Sequence, residues 1–113
     1  MSDEMDAATL GSLLADDCAR TIVEATAREP QSADALAEQC EASKTTVYRR
    51  LEELEEHDLV EVRRRPEEQG HHYKVYAARL DRAVVTLTDD GIELSVTRRD
   101  RMTERFRRFV EEL

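Results

Sequence analysis

Ser43-Lys44-Thr45-Thr46-Val47-Tyr48-Arg49-Arg50-Leu51-Glu52-Glu53-Leu54 is the stretch whose reading decides the fold. Val47, Leu51 and Leu54 recur at i, i+4 and i+7, a narrow apolar stripe that holds a helix against a core. Ser43 is a good N-cap, so the spacing predicts a helix from Lys44 to about His57. Lys44, Thr45, Tyr48, Arg49 and Glu52 fall outward from the stripe, with Thr46 and Arg50 on its flanks. These types suit a nucleic-acid groove. Arginine reaches two acceptors on guanine, threonine offers a hydroxyl and a methyl, and a capped helix N-terminus can meet a phosphate. A basic amphipathic surface helix is the plain alternative for this segment alone.

Upstream, Ser32 caps a second helix from Ala33 to about Gln39, with Leu36 and Cys40 inward and Ala33 and Ala37 small enough for close packing. The turn Glu41-Ala42-Ser43 joins the two. Two short helices about such a turn, the second with a basic outer face, form a helix-turn-helix. Before them, Leu10, Leu13, Leu14, Cys18, Ile22 and Val23 keep helical spacing from about Leu10 to Ala27. This is one long helix, or a short one ending near Leu14 and a second from Asp17, because Asp16-Asp17 can cap a start. Glu29-Pro30 ends it.

Downstream, Asp58 takes the place after a helix where a left-handed residue is wanted. Leu59 to Arg64 and His72 to Ala77 alternate as strands about the turn Pro66-Glu67-Glu68-Gln69-Gly70. The hairpin rim carries Arg63, Arg64, Arg65, His71 and His72, and adjacent arginines repel unless an anion lies among them. Such a wing lies beside the basic helix, placed to touch a phosphate backbone or minor groove. A solvated turn neutralised by Glu67 and Glu68 is the bland reading. Ala83 to Thr88 and Ile92 to Thr97 make a second hairpin through Asp89-Asp90-Gly91, where Asp and Gly both tolerate positive φ. Arg98 to Leu113 reads as a closing helix with Met102, Phe106, Phe109, Val110 and Leu113 along one face. That stripe needs a partner surface, and a second copy of the chain, with Leu10, Leu13 and Leu14 joining, is the preferred one. The expected class is thus α+β: a winged helix-turn-helix over residues 10–80, an acidic tail at 1–9, and an extra β-hairpin plus a C-terminal dimerisation helix at 81–113.

The net charge is −9 over 113 residues, against DNA binding at first sight. The distribution of that charge points the other way. Residues 1–42 hold 10 acids and 2 bases, residues 43–82 hold 9 of each, and residues 83–113 hold 7 acids and 6 bases. The excess sits in the first third, and steering depends on where charge lies. Acids number 26 against 17 bases, and only Lys44 and Lys74 are lysine, a halophile-type composition. In molar salt counterion release gives little drive, so base hydrogen bonds and shape fit must carry more of the affinity.

The stretch from Ser32 to Val60, centred on Ser43-Lys44-Thr45-Thr46-Val47-Tyr48-Arg49-Arg50-Leu51 and closing with His57-Asp58-Leu59-Val60, resembles archaeal winged helix-turn-helix regulators of the ArsR and TrmB type. The resemblance covers roughly residues 10–78. It implies recognition-helix roles for Lys44, Thr45, Thr46, Tyr48, Arg49 and Arg50, beside the capping Ser43, and wing roles for Arg63 to Arg65. Its implied partners are double-stranded DNA and a second copy of the chain. The sequence departs at Glu41, where small residues are common, and at Asp58, where Gly is usual.

Other classes find little support. There is no glycine-rich phosphate loop, nucleophile elbow or paired-ligand motif, so an enzyme is not expected. Metal sensing lacks a cysteine cluster, and His71-His72 sits in the wing, so no metal or cofactor is expected. Cys18 and Cys40 are expected to be reduced, partly buried side chains, their spacing marking no redox pair. No apolar run approaches the roughly 18 residues needed to span a bilayer, and the acidic start Met1 to Asp6 is not a secretory signal. A cytoplasmic location is therefore expected. Two alternatives stay open: a winged-helix protein-interaction module without DNA readout, and a redox-responsive regulator using Cys18 or Cys40. No small-molecule effector is legible.

Overall fold

The computed structural model describes residues 5–66 and 72–100. The chain runs α1 (Ala7–Ala15), α2 (Asp17–Arg28), α3 (Ala33–Cys40), α4 (Lys44–Glu56), β1 (Val60–Pro66), β2 (His72–Ala78), β3 (Leu80–Thr88) and β4 (Gly91–Arg98). The first apolar stretch is two helices, and Asp16 is the cause. Its extended backbone (φ −80, ψ 123) stops α1, and its carboxylate accepts the Ala19 N–H at 2.8 Å to start α2. Asp6 caps α1 in the same way through Thr9. Within the stretch expected as an acidic tail at 1–9, helix begins at Ala7 and Met5 is buried.

Two helix ends close alike. Glu41 has φ 54 and Asp58 φ 60, the left-handed region. The Ala42 N–H reaches back to the Ala37 carbonyl at 3.2 Å, and the Leu59 N–H to that of Leu54 at 2.8 Å. Each is a Schellman turn with a side-chain-bearing residue at the glycine position. The first aims α4 off α3, and the second turns the chain from α4 into β1. Ile22, Leu36, Val47, Leu51 and Leu54, each at most 1 % exposed, join α2, α3 and α4 into one core.

β1 and β2 pair antiparallel from Val60↔Ala78 to Pro66↔His72. Gln31 adds a third, one-residue strand, exchanging both backbone hydrogen bonds with Tyr76 at 3.0 and 2.8 Å. That bridge seats the hairpin against the link between α2 and α3. β3 and β4 run longer than alternation predicts, since Leu80 pairs with Arg98 across a bulge. Arg98 thus ends β4 and does not open a terminal helix. Its guanidinium donates to the His57 and Asp58 carbonyls at 2.8 and 3.0 Å, acceptors left over at the end of α4. Arg79 bonds the Asp58 carboxylate at 3.3 Å, and Arg99 the Ala27 carbonyl at 3.2 Å. Three arginines therefore fasten the base of the second hairpin to the ends of α2 and α4. At its tip the positive φ belongs to Gly91 alone (φ 120), not to Asp89 or Asp90. The expected stripe of Met102, Phe106, Phe109, Val110 and Leu113 lies outside the described residues.

Candidate nucleic-acid interface

The inward stripe of α4 leaves Thr45, Tyr48, Arg49 and Glu52 in solvent, as its spacing predicts. Ser43 Oγ accepts the Thr46 N–H at 3.1 Å and lies 3.2 Å from Thr46 Oγ1, so cap and hydroxyl are tied together. Thr45 is the freer of the two threonines. Charge divides α4 lengthwise: Lys44 and Arg49 stand in its first half, and Glu52, Glu53, Glu55 and Glu56 fill the second. Only the N-terminal half can approach a polyanion, which is the half a helix-turn-helix presents to base edges.

The neighbouring arginines have opposite fates. Arg49 is exposed and has no carboxylate partner among the described residues. Arg50 turns back, its Nε 3.0 Å from Asp16 Oδ2 and its Nη1 3.5 Å from Glu53 Oε1, with a side chain 23 % exposed. The Asp16 hydrogen bond raises the Arg50 pKa, while the Ala19 N–H, and Arg50 after it, hold the Asp16 carboxyl below its ordinary value. Arg50 thus joins α4 to the α1–α2 junction, a task at odds with its expected place at the DNA. Lys44 Nζ meets Asp34 Oδ1 at 3.0 Å, both ends exposed. Such a surface pair is weak, and a phosphate can replace the carboxylate.

The wing pleat splits the arginine triplet. Arg64 pairs across to Lys74 on the face shared by Val62 and Tyr76, while Arg63 and Arg65 point to the other face opposite Val75 and Tyr73. Arg64 and Lys74 are like charges directly opposed, a destabilising arrangement that an anion relieves. Lys74 and Tyr76 line a cleft of about 380 Å³ with Thr45, Tyr48, Arg49, Glu52 and Glu55 of α4. A second cleft of about 380 Å³ lies beside it, lined by Asp34, Lys44, Tyr48, Tyr73 and Lys74. Helix and wing therefore present basic groups to one groove. Lys74 and Tyr73 carry no motif in the sequence; their signal is the hairpin register, which sets Lys74 opposite Arg64. His71 and the side chain of His72 lie outside the described residues. Among the described residues no cluster of three metal-ligating side chains occurs, and no helix is long and apolar enough to cross a membrane.

Residues 14–63, from the end of α1 into β1, match a family model described as a helix-turn-helix domain. No curated protein matches the chain. With the hairpin that follows α4, the match supports a regulator of the winged helix-turn-helix kind, and suggests a protein that binds DNA.

Proposed function

We propose that the chain is a sequence-specific transcription regulator that binds double-stranded DNA as a homodimer on a pseudo-palindromic operator. One observation carries the reading: Arg49, without a carboxylate partner among the described residues, and Lys74, set opposite Arg64 by the wing register, line a single groove between α4 and the wing, with Glu52 and Glu55 from the second half of α4 on its other end. Arg49 and Thr45 read base edges in the major groove. Lys44, Arg63, Arg64, Arg65 and Lys74 hold the phosphates, and Ser43 and Thr46 present the α4 N-terminus to one of them. Tyr48, half exposed between the two clefts, packs on the sugar-phosphate wall. Arg50 keeps α4 in register from behind. The likeness to archaeal ArsR and TrmB regulators, the halophile-type composition and a cytoplasmic, non-enzymatic role belong to the same reading.

The homodimer draws its support from the second hairpin. Ala83, Val85, Leu87, Ile92, Leu94 and Val96 share one face of β3 and β4 by register. Leu94 and Val96 at its base pack on the core, while Val85, Leu87 and Ile92 toward the tip are 61, 80 and 63 % exposed. A monomer gains nothing from an apolar face so open. Leu87→Glu should shift the protein from dimer to monomer in sedimentation equilibrium at high salt, and an unchanged dimer removes the hairpin from the interface. For the DNA reading, selection from a random duplex library in high salt should enrich paired half-sites. Failure to enrich any sequence, at any salt, would instead favour the protein-interaction module, to which the acidic first third of the chain lends itself.

A further inference from the structure

The fold brings together the two cysteines whose spacing marks no motif. Cys18 stands in the first turn of α2 and Cys40 is the last residue of α3. Cys40 Sγ lies 3.6 Å from the Cys18 carbonyl oxygen, so the packing of α3 on α2 sets the two residues side by side. Both are free and half-buried, within reach of a small oxidant. Their meeting point is the hub of the helix-turn-helix. Asp16, two residues before Cys18, grips Arg50 of α4. Cys40 opens the Schellman turn that launches α4, only a few residues ahead of its first helical residue.

We propose that Cys18 and Cys40 form a reversible disulfide under hydroperoxide, and that this bond weakens DNA binding by moving the end of α3 and with it the start of α4. The effect on DNA rests on the function proposed above; the disulfide itself does not. The Cys18 thiolate attacks one peroxide oxygen, the O–O bond breaks, and the departing hydroxide takes a proton to become water. Cys18 is then a sulfenic acid. The Cys40 sulfur attacks the Cys18 sulfur, the S–S bond forms, the S–O bond breaks, and the Cys40 proton leaves with the hydroxyl as a second water. Two thiols give up two electrons and one peroxide becomes two waters. Burial first, then the hydrogen bond and charge of Cys18, push the Cys40 thiol up to about 12, so Cys40 holds its proton until it attacks the Cys18 sulfur. A disulfide needs sulfurs about 2.05 Å apart, well inside hydrogen-bonding distance, so the helix ends must close up. The short turn and the Ser43 cap pass that movement to α4.

The test uses the full chain in high salt, as wild type, Cys18→Ser and Cys40→Ser, treated with hydrogen peroxide and then with dithiothreitol. Wild type should lose about 2 Da and both alkylatable thiols, the change for one disulfide. Closing the loop between residues 18 and 40 should raise its melting temperature by roughly 10 °C. Its affinity for a selected duplex should fall at least fivefold, and dithiothreitol should restore all four values. Each serine variant should keep its DNA affinity through the peroxide step. Wild type that retains its thiols, or that links only between chains, overturns the proposal. So does an intramolecular disulfide that leaves DNA affinity unchanged. A reduced wild type that binds no duplex at any salt refutes the DNA reading separately, and thiol count and melting then still decide whether the bond forms.

Discussion

Replacing Arg49 and Arg50 in turn by alanine separates the two tasks that neighbouring arginines perform on α4. Arg50 makes two charge-assisted contacts, at 3.0 Å to Asp16 and 3.5 Å to Glu53, from a side chain 23 % exposed. Hydrogen bonds to charged groups are worth about 1.5–3 kcal/mol when lost from a buried site, and partial exposure screens this toward about 1 kcal/mol. Arg50→Ala should therefore lower the melting temperature by roughly 4 °C. Its DNA affinity should fall little once the protein is held well below that temperature. Arg49 is exposed and without a carboxylate partner among the described residues. Arg49→Ala should leave stability within about 0.5 kcal/mol, as surface changes do. It should cost about 1–3 kcal/mol of binding, roughly a 5- to 150-fold loss, and relax preference at one base position. Differential scanning fluorimetry and salt-matched mobility shifts read the two effects independently. If Arg49→Ala binds its operator like wild type, or if Arg50→Ala melts like wild type while losing DNA, the assignment of roles is refuted.

Other outcomes follow from the same geometry. The Asp16 carboxyl sits below its ordinary 3.8, so the stability it contributes is present above that pH and is lost as pH falls through its depressed value. Asp16→Asn should start less stable and show a shallower loss in acid melts, and an unchanged acid limb contradicts the pairing. Glu41 at φ 54 bears the left-handed penalty of about 1–2 kcal/mol, part of which glycine offsets with its own entropy cost. Glu41→Gly should therefore stabilise by about 0.5 kcal/mol in urea titrations, and a destabilised variant would count against the turn. Lys74→Ala should weaken binding evenly across sequences and reduce the slope of log K against log salt by about 1. A loss confined to one sequence would instead make Lys74 a base reader.

The helical part of the fold was legible because short-range chemistry decides it. Ser32 and Ser43 accept hydrogen bonds from residues three ahead of them, and Val47, Leu51 and Leu54 repeat at a period set by the helix itself. Asp58 was visible as a glycine substitute in a left-handed position, whereas Glu41 read only as an unusual residue in the turn and its positive φ came from the structure. The break at Asp16 was readable only as one of two options, since its carboxylate can cap a start or ride mid-helix until Arg50, 34 residues on, holds it. That long-range pairing also explains why Arg50 looked like a DNA contact: sequence spacing places it on a flank but does not reveal Asp16 beneath it. The wing behaved likewise. Arg63, Arg64 and Arg65 read as one cluster until the β1–β2 register put Arg64 on one face with Lys74 and set Arg63 and Arg65 on the other, opposite Val75 and Tyr73. The nearness of Cys18 and Cys40 depends on how α2 packs on α3, which no local pattern encodes.

The most direct test of the central claim is hydroxyl-radical footprinting of the full chain on a selected duplex, at salt from moderate to molar. The account predicts two protected patches on one face of the helix, one turn or about 34 Å apart, that need roughly 5- to 150-fold more protein to appear with Arg49→Ala. Uniform cleavage at every salt concentration, or a footprint that Arg49→Ala leaves intact, would contradict it.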